Sequence, residues 1–499
     1  MVEHLLPKQN VVGSIPIARS KFGGICWENM GAKFGTSGLR GLAEELIGAV
    51  AVSYTRAFLQ HLKSKKQVRE GDEVFVGLDF RASSPILCTN VGEAIAAEGV
   101  VMRSLGAVPT QALAFEAMAK GCASVMITGS HIPADRNGLK FYRPDGEIDK
   151  RDENAIAARV SKLKWAKGIE AQSHNGKIDG FEARNRRAFG KAALKGMHIG
   201  VYQHSSVARD LMVELLESAG AQVTPLARSE IFIPVDTEAV SPETLALLKR
   251  WAKGSLFDAI VSADGDGDRP LVADEKGQVL RGDLLGLITA KYLDAKTVVT
   301  PVTSNSGLDT YLQKGTRRTR VGSPYVIAEM LRAKKARARA IVGFEANGGF
   351  FTASSFKLGG AVLTPLPTRD CFLPILAVLA STRKAKKSLS VLAASYPLPI
   401  ALAGRLENFP VESSARLMKR LTGSQTARDA FFAPLGKIKA RDVMDGLRVT
   451  LTDGVIVHLR PSGNAPEFRC YVEAETQTAA EELLARALKL ISMQRSFKK

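Results

Sequence analysis

The chain has 499 residues, 45% hydrophobic and 24% charged, which is enough apolar material for several buried cores and excludes a disordered or fibrous chain. Lys and Arg outnumber Asp and Glu by 69 to 50, a net charge of +19 that suits anionic partners without choosing among nucleic acid, lipid and small phosphorylated substrates. The five cysteines (Cys26, Cys88, Cys122, Cys371, Cys470) are scattered, which excludes a disulfide-stapled or zinc-ribbon framework.

The N-terminal stretch 1–24 lacks the unbroken apolar core of a signal peptide, and no later stretch supplies ~18 apolar residues in a row. A cytoplasmic location without membrane association is expected. The pattern predicts a strand over 73–80, a helix over 86–98 and a strand over 123–128 that ends in a polar loop. The same theme returns as a strand over 197–202, a helix over 207–218, a strand over 257–263 before an acidic loop, and a strand over 339–345 before a Gly-rich loop. Three similar mixed α/β domains follow, at 1–175, 176–280 and 281–400. Beyond the Pro-interrupted Tyr396-Pro397-Leu398-Pro399, strands over 454–459 and 469–474 and a helix over 478–493 predict a smaller α+β domain at 401–499. The basic runs 63–66, 334–337 and 383–387 have few aromatic neighbours and read as solvated helix ends, so no nucleic-acid partner is expected.

Four loops carry the chemistry. Thr128-Gly129-Ser130-His131-Ile132-Pro133 lies at a strand's C-terminal end, where α/β proteins place reacting groups, but no G-x-S-x-G elbow surrounds the serine. Taken singly, a Ser or His there is ordinarily a turn residue. Asp264-Gly265-Asp266-Gly267-Asp268-Arg269 places three carboxylates at alternate positions, where they repel unless a cation sits between them. A hard divalent metal is expected, Mg²⁺ when phosphate and water complete the shell. A calcium loop of the EF-hand kind matches the Asp spacing, but Arg269 stands where that loop requires glycine, and a strand rather than a helix precedes it. A solvated acidic turn would not need three carboxylates so close.

In Gly343-Phe344-Glu345-Ala346-Asn347-Gly348-Gly349, a carboxylate and a carboxamide among glycines can bind adjacent sugar hydroxyls. Arg460-Pro461-Ser462-Gly463-Asn464-Ala465-Pro466-Glu467-Phe468-Arg469 offers two guanidinium forks, a hydroxyl, an amide and exposed N–H groups, a set suited to a phosphate dianion.

In this order the motifs resemble those of the α-D-phosphohexomutases, and the resemblance spans nearly the whole chain. Lys33-Phe34-Gly35-Thr36-Ser37-Gly38-Leu39-Arg40-Gly41 is similar to the family's F-G-T-S-G-x-R-G segment, and T-G-S-H-I-P resembles its T-A-S-H-N-P loop. D-G-D-G-D-R matches its metal loop, F-E-A-N-G resembles its sugar loop, and the loop at 460–469 resembles R-x-S-G-T-E-P-x-x-R. The resemblance implies four domains around a central cleft and a phosphomannomutase/phosphoglucomutase activity that interconverts hexose 1-phosphate and hexose 6-phosphate. Acetylglucosamine- or glucosamine-phosphate mutase is the second reading, and a catalytically idle phosphosugar-binding protein the third.

It further implies a phosphoserine at Ser130, with Ser130, Asp264, Asp266 and Asp268 as metal ligands. Arg40, Lys140 and Arg269 would offset charge beside His131, with Lys140 also a candidate general acid or base. Glu345 and Asn347 would hold sugar hydroxyls, while Arg460, Ser462, Gly463, Asn464 and Arg469 would hold the non-reacting phosphate. Mg²⁺ and hexose 1,6-bisphosphate, as activator, are the implied cofactors, hexose phosphates the partners, and a monomer or homodimer the assembly. The family's Asn in the serine loop is Ile132 here, its Thr-Glu in the phosphate loop is Asn464-Ala465, and a sugar-loop histidine of some members is Gly349.

Overall fold

The computed structural model describes residues 32–35, 38–160, 173–254, 256–312, 315–462 and 466–495. Cys26, Thr36, Ser37 and the predicted site residues Gly463 and Asn464 lie outside the described residues. Three α/β units follow one another on one plan. In the first, Glu73–Leu78, Val101–Ala107 and Ala123–Ile127 run parallel, and Arg136–Arg143 returns antiparallel to the last. In the second, Gln222–Arg228, His198–His204 and Ala259–Ala263 are parallel and Pro270–Asp274 returns. In the third, Thr316–Thr319, Thr297–Pro301 and Ile341–Phe344 are parallel and Phe350–Thr352 returns.

Each unit thus ends a buried parallel strand in a short loop that turns straight back. The loops so placed are 128–135, 264–269 and 345–349. Ala123–Ile127 and Ala259–Ala263 are buried at every position, which is why they read as unbroken apolar runs rather than alternating ones. The return strand Arg136–Arg143 places Lys140 opposite Met126.

The predicted strand 73–80 stops at Leu78, where the Asp79 side chain becomes an acceptor for Arg81, Ser84 and Thr128. The predicted helix 207–218 begins at Arg209, and Val207 N–H, just before it, donates to Gly265 O. Thr110 and Gln111, opening the helix Thr110–Ala119, donate to the Asp266 carboxylate and Gly267 O at 2.6 Å each, locking the first unit onto the second.

One apolar cluster runs continuously from Leu211 and Val261 of the second unit to Phe344 and Leu376 of the third. The C-terminal module has its own core, including Phe432, Leu459, Val472 and Ile491. Its antiparallel sheet runs in the order Ile400–Leu406, Phe468–Ala474, Ile456–Pro461, Leu447–Leu451, Ile438–Asp442. The helix Gln477–Ser492 packs beside it, its first turn capped by Thr476, which accepts from Ala479 N–H. Polar bonds join the module to the third unit: Arg281 Nη1 to Ala401 O (2.8 Å), Ser306 Oγ to Glu473 Oε2 (2.5 Å) and Val321 N–H to Asp445 Oδ2 (2.9 Å).

The three basic runs fall at the C-terminal ends of the helices Ala49–Ser64, Ser323–Lys335 and Phe372–Ala385, where cations meet the negative end of the helix dipole. Among the described residues, no helix is long and apolar enough to cross a membrane.

Candidate active site

Ser130 is buried and holds a left-handed backbone, φ +55°, a conformation that costs a non-glycine residue about 1 kcal/mol or more. Two neighbours enforce it. Thr128 Oγ1 accepts Ser130 N–H at 2.7 Å, and the buried Arg81 guanidinium donates to the carbonyls of Ser130, Ile132, Pro133 and Arg136 at 2.6–2.9 Å. Arg81 also pairs with Asp79 at 3.1 Å and lies 4.1 Å from the ring centroid of Phe232, in the second unit. A Cβ on Gly129 would stand 2.6 Å from Arg81 Cζ, so the guanidinium occupies the space that a side chain there would take.

Ser130 Oγ donates to Asp264 Oδ2 at 2.5 Å and lies 3.3 Å from His131 Nδ1. Asp264, Asp266 and Asp268 are buried, with candidate ligand oxygens all within 4.8 Å of one another, which removes the solvated-turn reading. Asp264 Oδ1 accepts the N–H groups of Asp268 and Arg269 at 3.1 Å. Lys140 Nζ donates to Asp266 Oδ2 at 2.5 Å and Asp268 Oδ2 at 2.6 Å. Among the described residues, Asp266 Oδ1 and Asp268 Oδ1 are left buried with no hydrogen-bond partner. Buried carboxylate oxygens are rarely left so, and an all-oxygen donor set with two such atoms fits a hard divalent cation.

The charges here are strongly coupled. Burial and the neighbouring charges of Asp266 and Asp268 push the Asp264 carboxyl well above the usual carboxylate range. Burial pushes Asp268 the same way, but Lys140, Arg369 and Arg269 outweigh it and hold this carboxyl below that range. Burial disfavours the Lys140 ammonium, yet Asp266 and Asp268 reverse this and raise it, so Lys140 is a charged donor at neutral pH. Burial, then Arg269 and Arg40, push the His131 imidazolium far down, leaving a neutral ring beside Ser130. Arg40 lies on the strand Leu39–Leu42, opposite Gly138, and burial with the nearby Arg269 lowers its guanidinium to about 10. A cationic group so crowded gains from an incoming dianion.

Glu345 and Asn347 are buried at the edge of this cluster. Arg369 Nε donates to Glu345 Oε2 at 2.5 Å, and Arg369 Nη1 stands 3.8 Å from Asp268 Oδ2. Asn347 Oδ1 accepts Gly349 N–H at 3.0 Å, and Asn347 O accepts Thr237 Oγ1 at 3.3 Å.

A second centre lies in a cleft of about 390 Å³ lined by Arg320, Gly322, Tyr325, Asp445 and Arg460, with Lys150 from the first unit. Arg460 and Arg469 face each other on paired strands, two like charges that repel unless an anion joins them. Arg460 Nε lies 3.1 Å from Asp445 Oδ2, Arg469 Nη2 lies 3.4 Å from Glu467 Oε2, and Ser462 N–H donates to Glu467 O at 2.9 Å. The predicted residues therefore gather at two places. Ser130, His131, Lys140, Arg40, Arg269, Glu345, Asn347 and the three aspartates form one, and Arg460, Ser462 and Arg469 the other.

Models of all four domains of the phosphoglucomutase/phosphomannomutase family match in order: α/β/α domain I over residues 31–167, domain II over 178–277, domain III over 281–398 and the C-terminal domain over 406–490. The chain belongs to this family. It is 50% identical over 470 residues to a phosphomannomutase of Sinorhizobium fredii, covering 93% of this chain and 99% of that one. A phosphomannomutase of Salmonella muenchen is 40% identical over 463 residues, 92% of this chain and 95% of the relative. Among solved structures, a phosphoglucomutase/phosphomannomutase family protein of Burkholderia thailandensis shares the fold at a TM-score of 0.74 and 21% identity, covering 92% of this chain and 98% of that one.

Within this phosphoglucomutase/phosphomannomutase chain, the sequence reading missed Asp79, Arg81, Thr110 and Arg369. Asp79-Phe80-Arg81 carried a usable signal, a charged pair directly after a buried parallel strand. Thr110 and Arg369 carried none, since they reach the site only through docking of a helix and pairing of a strand.

Proposed function

We propose that this chain is a phosphomannomutase with phosphoglucomutase activity, interconverting hexose 1-phosphate and hexose 6-phosphate through a phosphoserine at Ser130 and hexose 1,6-bisphosphate. The 50% identity to a phosphomannomutase across nearly both whole chains carries the substrate class. The chemistry is supported by Ser130 Oγ standing 2.5 Å from Asp264 within a ring of cations.

In the forward half-reaction the phosphoserine P–O bond breaks, Ser130 Oγ takes up a proton, and a bond forms from phosphorus to a sugar hydroxyl oxygen, whose proton leaves to a base. The bisphosphate then turns over, and its other phosphoryl group passes to Ser130 Oγ, which gives up its proton while the departing sugar oxygen takes one. Positioning and charge neutralisation are the protein's main contributions to such a transfer. Arg81 and Thr128 fix the serine loop, and Lys140, Arg40 and Arg269 offset the charge of the phosphoryl group. Ser130 Oγ already donates to Asp264 Oδ2, whose carboxyl is raised, and the raised Lys140 ammonium favours a donor role for that residue over a base. Asp264, Asp266, Asp268 and Ser130 would hold Mg²⁺, which when bound supplies Lewis-acid stabilisation of charge on the transferring group. Glu345 and Asn347 would orient the sugar, and Arg460, Ser462, Gly463, Asn464 and Arg469 the other phosphate.

The test is parallel turnover of mannose 1-phosphate, glucose 1-phosphate and N-acetylglucosamine 1-phosphate with Mg²⁺ and hexose 1,6-bisphosphate. Preference for mannose 1-phosphate with measurable glucose 1-phosphate turnover supports the proposal. Preference for the acetylated sugar, or no turnover of any, refutes it.

A further inference from the structure

An ideal Cβ on Gly349 would lie 2.8 Å from Arg369 Cδ and 2.9 Å from its Cγ, so the sugar loop is bare at this position because the stem of Arg369 fills the adjoining space. Real Cβ atoms do not approach neighbours so closely, and this neighbour is anchored at both ends. Its strand, Leu366–Asp370, pairs with Phe350–Thr352 in the register Phe350 to Asp370, so the sheet delivers Arg369 beside the loop. Its head is bonded to Glu345 at 2.5 Å, with the Arg and Glu side chains only 4% and 5% exposed.

The ion pair is not needed to close the loop. Glu345 N–H already bonds Gly349 O at 3.1 Å, and Gly348 N–H bonds Glu345 O at 2.9 Å, so the main chain forms its own turn. Burying a charged pair is costly, and replacement by packed apolar groups is often neutral or stabilising, so stability alone is a weak reason to keep one here. The pair does give the Glu345 carboxylate a fixed rotamer, with one oxygen held by the guanidinium.

We propose that Arg369 is a positioning residue for substrate: it fixes the Glu345 carboxylate to accept hydrogen bonds from the hexose hydroxyls, and it occupies the space a side chain at 349 would need. The inference rests on the reading of this chain as a hexose-phosphate mutase with Glu345 as a hydroxyl ligand. Arg369 acts on sugar binding through Glu345, so its effect on KM disappears when that carboxylate is replaced, whereas its approach to Asp268 Oδ2 at 3.8 Å is read in kcat.

The experiment is a double-mutant cycle on steady-state kinetics with mannose 1-phosphate, using wild type, Arg369→Met, Glu345→Gln and the double variant, with thermal melts of each. The expected result is that Arg369→Met raises KM by about tenfold while kcat changes less, and that adding it to Glu345→Gln raises KM no further. Arg369→Lys keeps the charge but not the fork geometry and should raise KM about three- to fivefold, which preserves the test if the Met variant does not fold. A KM for Arg369→Met or Arg369→Lys within about twofold of wild type, or effects of Arg369 and Glu345 that multiply independently, overturns the inference while leaving the mutase reading intact. A wild type that turns over none of the hexose phosphates removes both.

Discussion

His458 lies on the strand Ile456–Pro461 in the C-terminal module, 2% exposed, with Nε2 2.6 Å from Asp445 O and Nδ1 buried without a partner among the described residues. Protonation would put a second N–H where no acceptor waits. Burial pushes the imidazolium down from 6.5 to about 4, and Arg448 and Arg460 add to this against the favourable Asp445 carbonyl. The unfolded chain binds the proton near its ordinary value, so the fold loses stability as pH falls through 6.5 towards 4, and the loss levels off below that. With those two values, linkage gives about 2 kcal/mol lost from the module between pH 7 and pH 5, roughly a thirtyfold rise in its opening equilibrium.

Hydrogen exchange of the amides in Leu447–Leu451 and Phe468–Ala474, corrected for intrinsic rates, reads that opening for the module, which has its own core. Wild type should lose about 2 kcal/mol more protection between the two pH values than His458→Gln, whatever the variant costs at pH 7. Equal losses in the two proteins would refute the assignment of the proton to His458. The same reasoning gives His204, also lowered by burial to about 4, a parallel effect on the second unit, where its Nε2 holds Ala263 O at 2.8 Å.

Ser130→Ala removes the proposed phosphoryl carrier and should cut turnover at least about a hundredfold while leaving the melting temperature near wild type, as read by coupled assay and calorimetry. Asp266→Asn takes a charge from the oxygen cluster and leaves Lys140 with one carboxylate. The Mg²⁺ concentration for half-maximal activity should rise at least about tenfold, and an unchanged value would argue against Asp266 as a ligand. Arg81→Met leaves the buried Ser130 carbonyl and the buried Asp79 carboxylate without the guanidinium and frees the partly buried carbonyls of Ile132, Pro133 and Arg136, and should destabilise the first unit by about 3–5 kcal/mol, measured by urea unfolding. A loss under about 1 kcal/mol would mean that water or another side chain replaces the guanidinium.

Much of this fold was legible because buried parallel strands write themselves as apolar runs. Ala123–Ile127 and Ala259–Ala263 could be placed to within a residue or two, and the helix Gln477–Ser492 was marked by its amphipathic period. The predicted strand 73–80 ran past its end because Asp79, just beyond Leu78, turns into the serine loop. The aspartates at 264, 266 and 268 announced themselves through their mutual repulsion. Arg81 and Arg369 did not, because a lone arginine carries no periodic signature and its meaning comes from carbonyls and carboxylates far away in the chain. The bond between Lys140 and the aspartates was likewise invisible until the return strand Arg136–Arg143 fixed its register.

The central claim is that Ser130 carries the phosphoryl group. Intact mass and peptide mapping after incubation with hexose 1,6-bisphosphate and Mg²⁺, followed by addition of mannose 1-phosphate, test it most directly. The account predicts one added phosphoryl group on the peptide containing Ser130, absent from Ser130→Ala, that passes to the sugar when mannose 1-phosphate is added. No phosphoryl group on Ser130, or one that the sugar fails to remove, would contradict it.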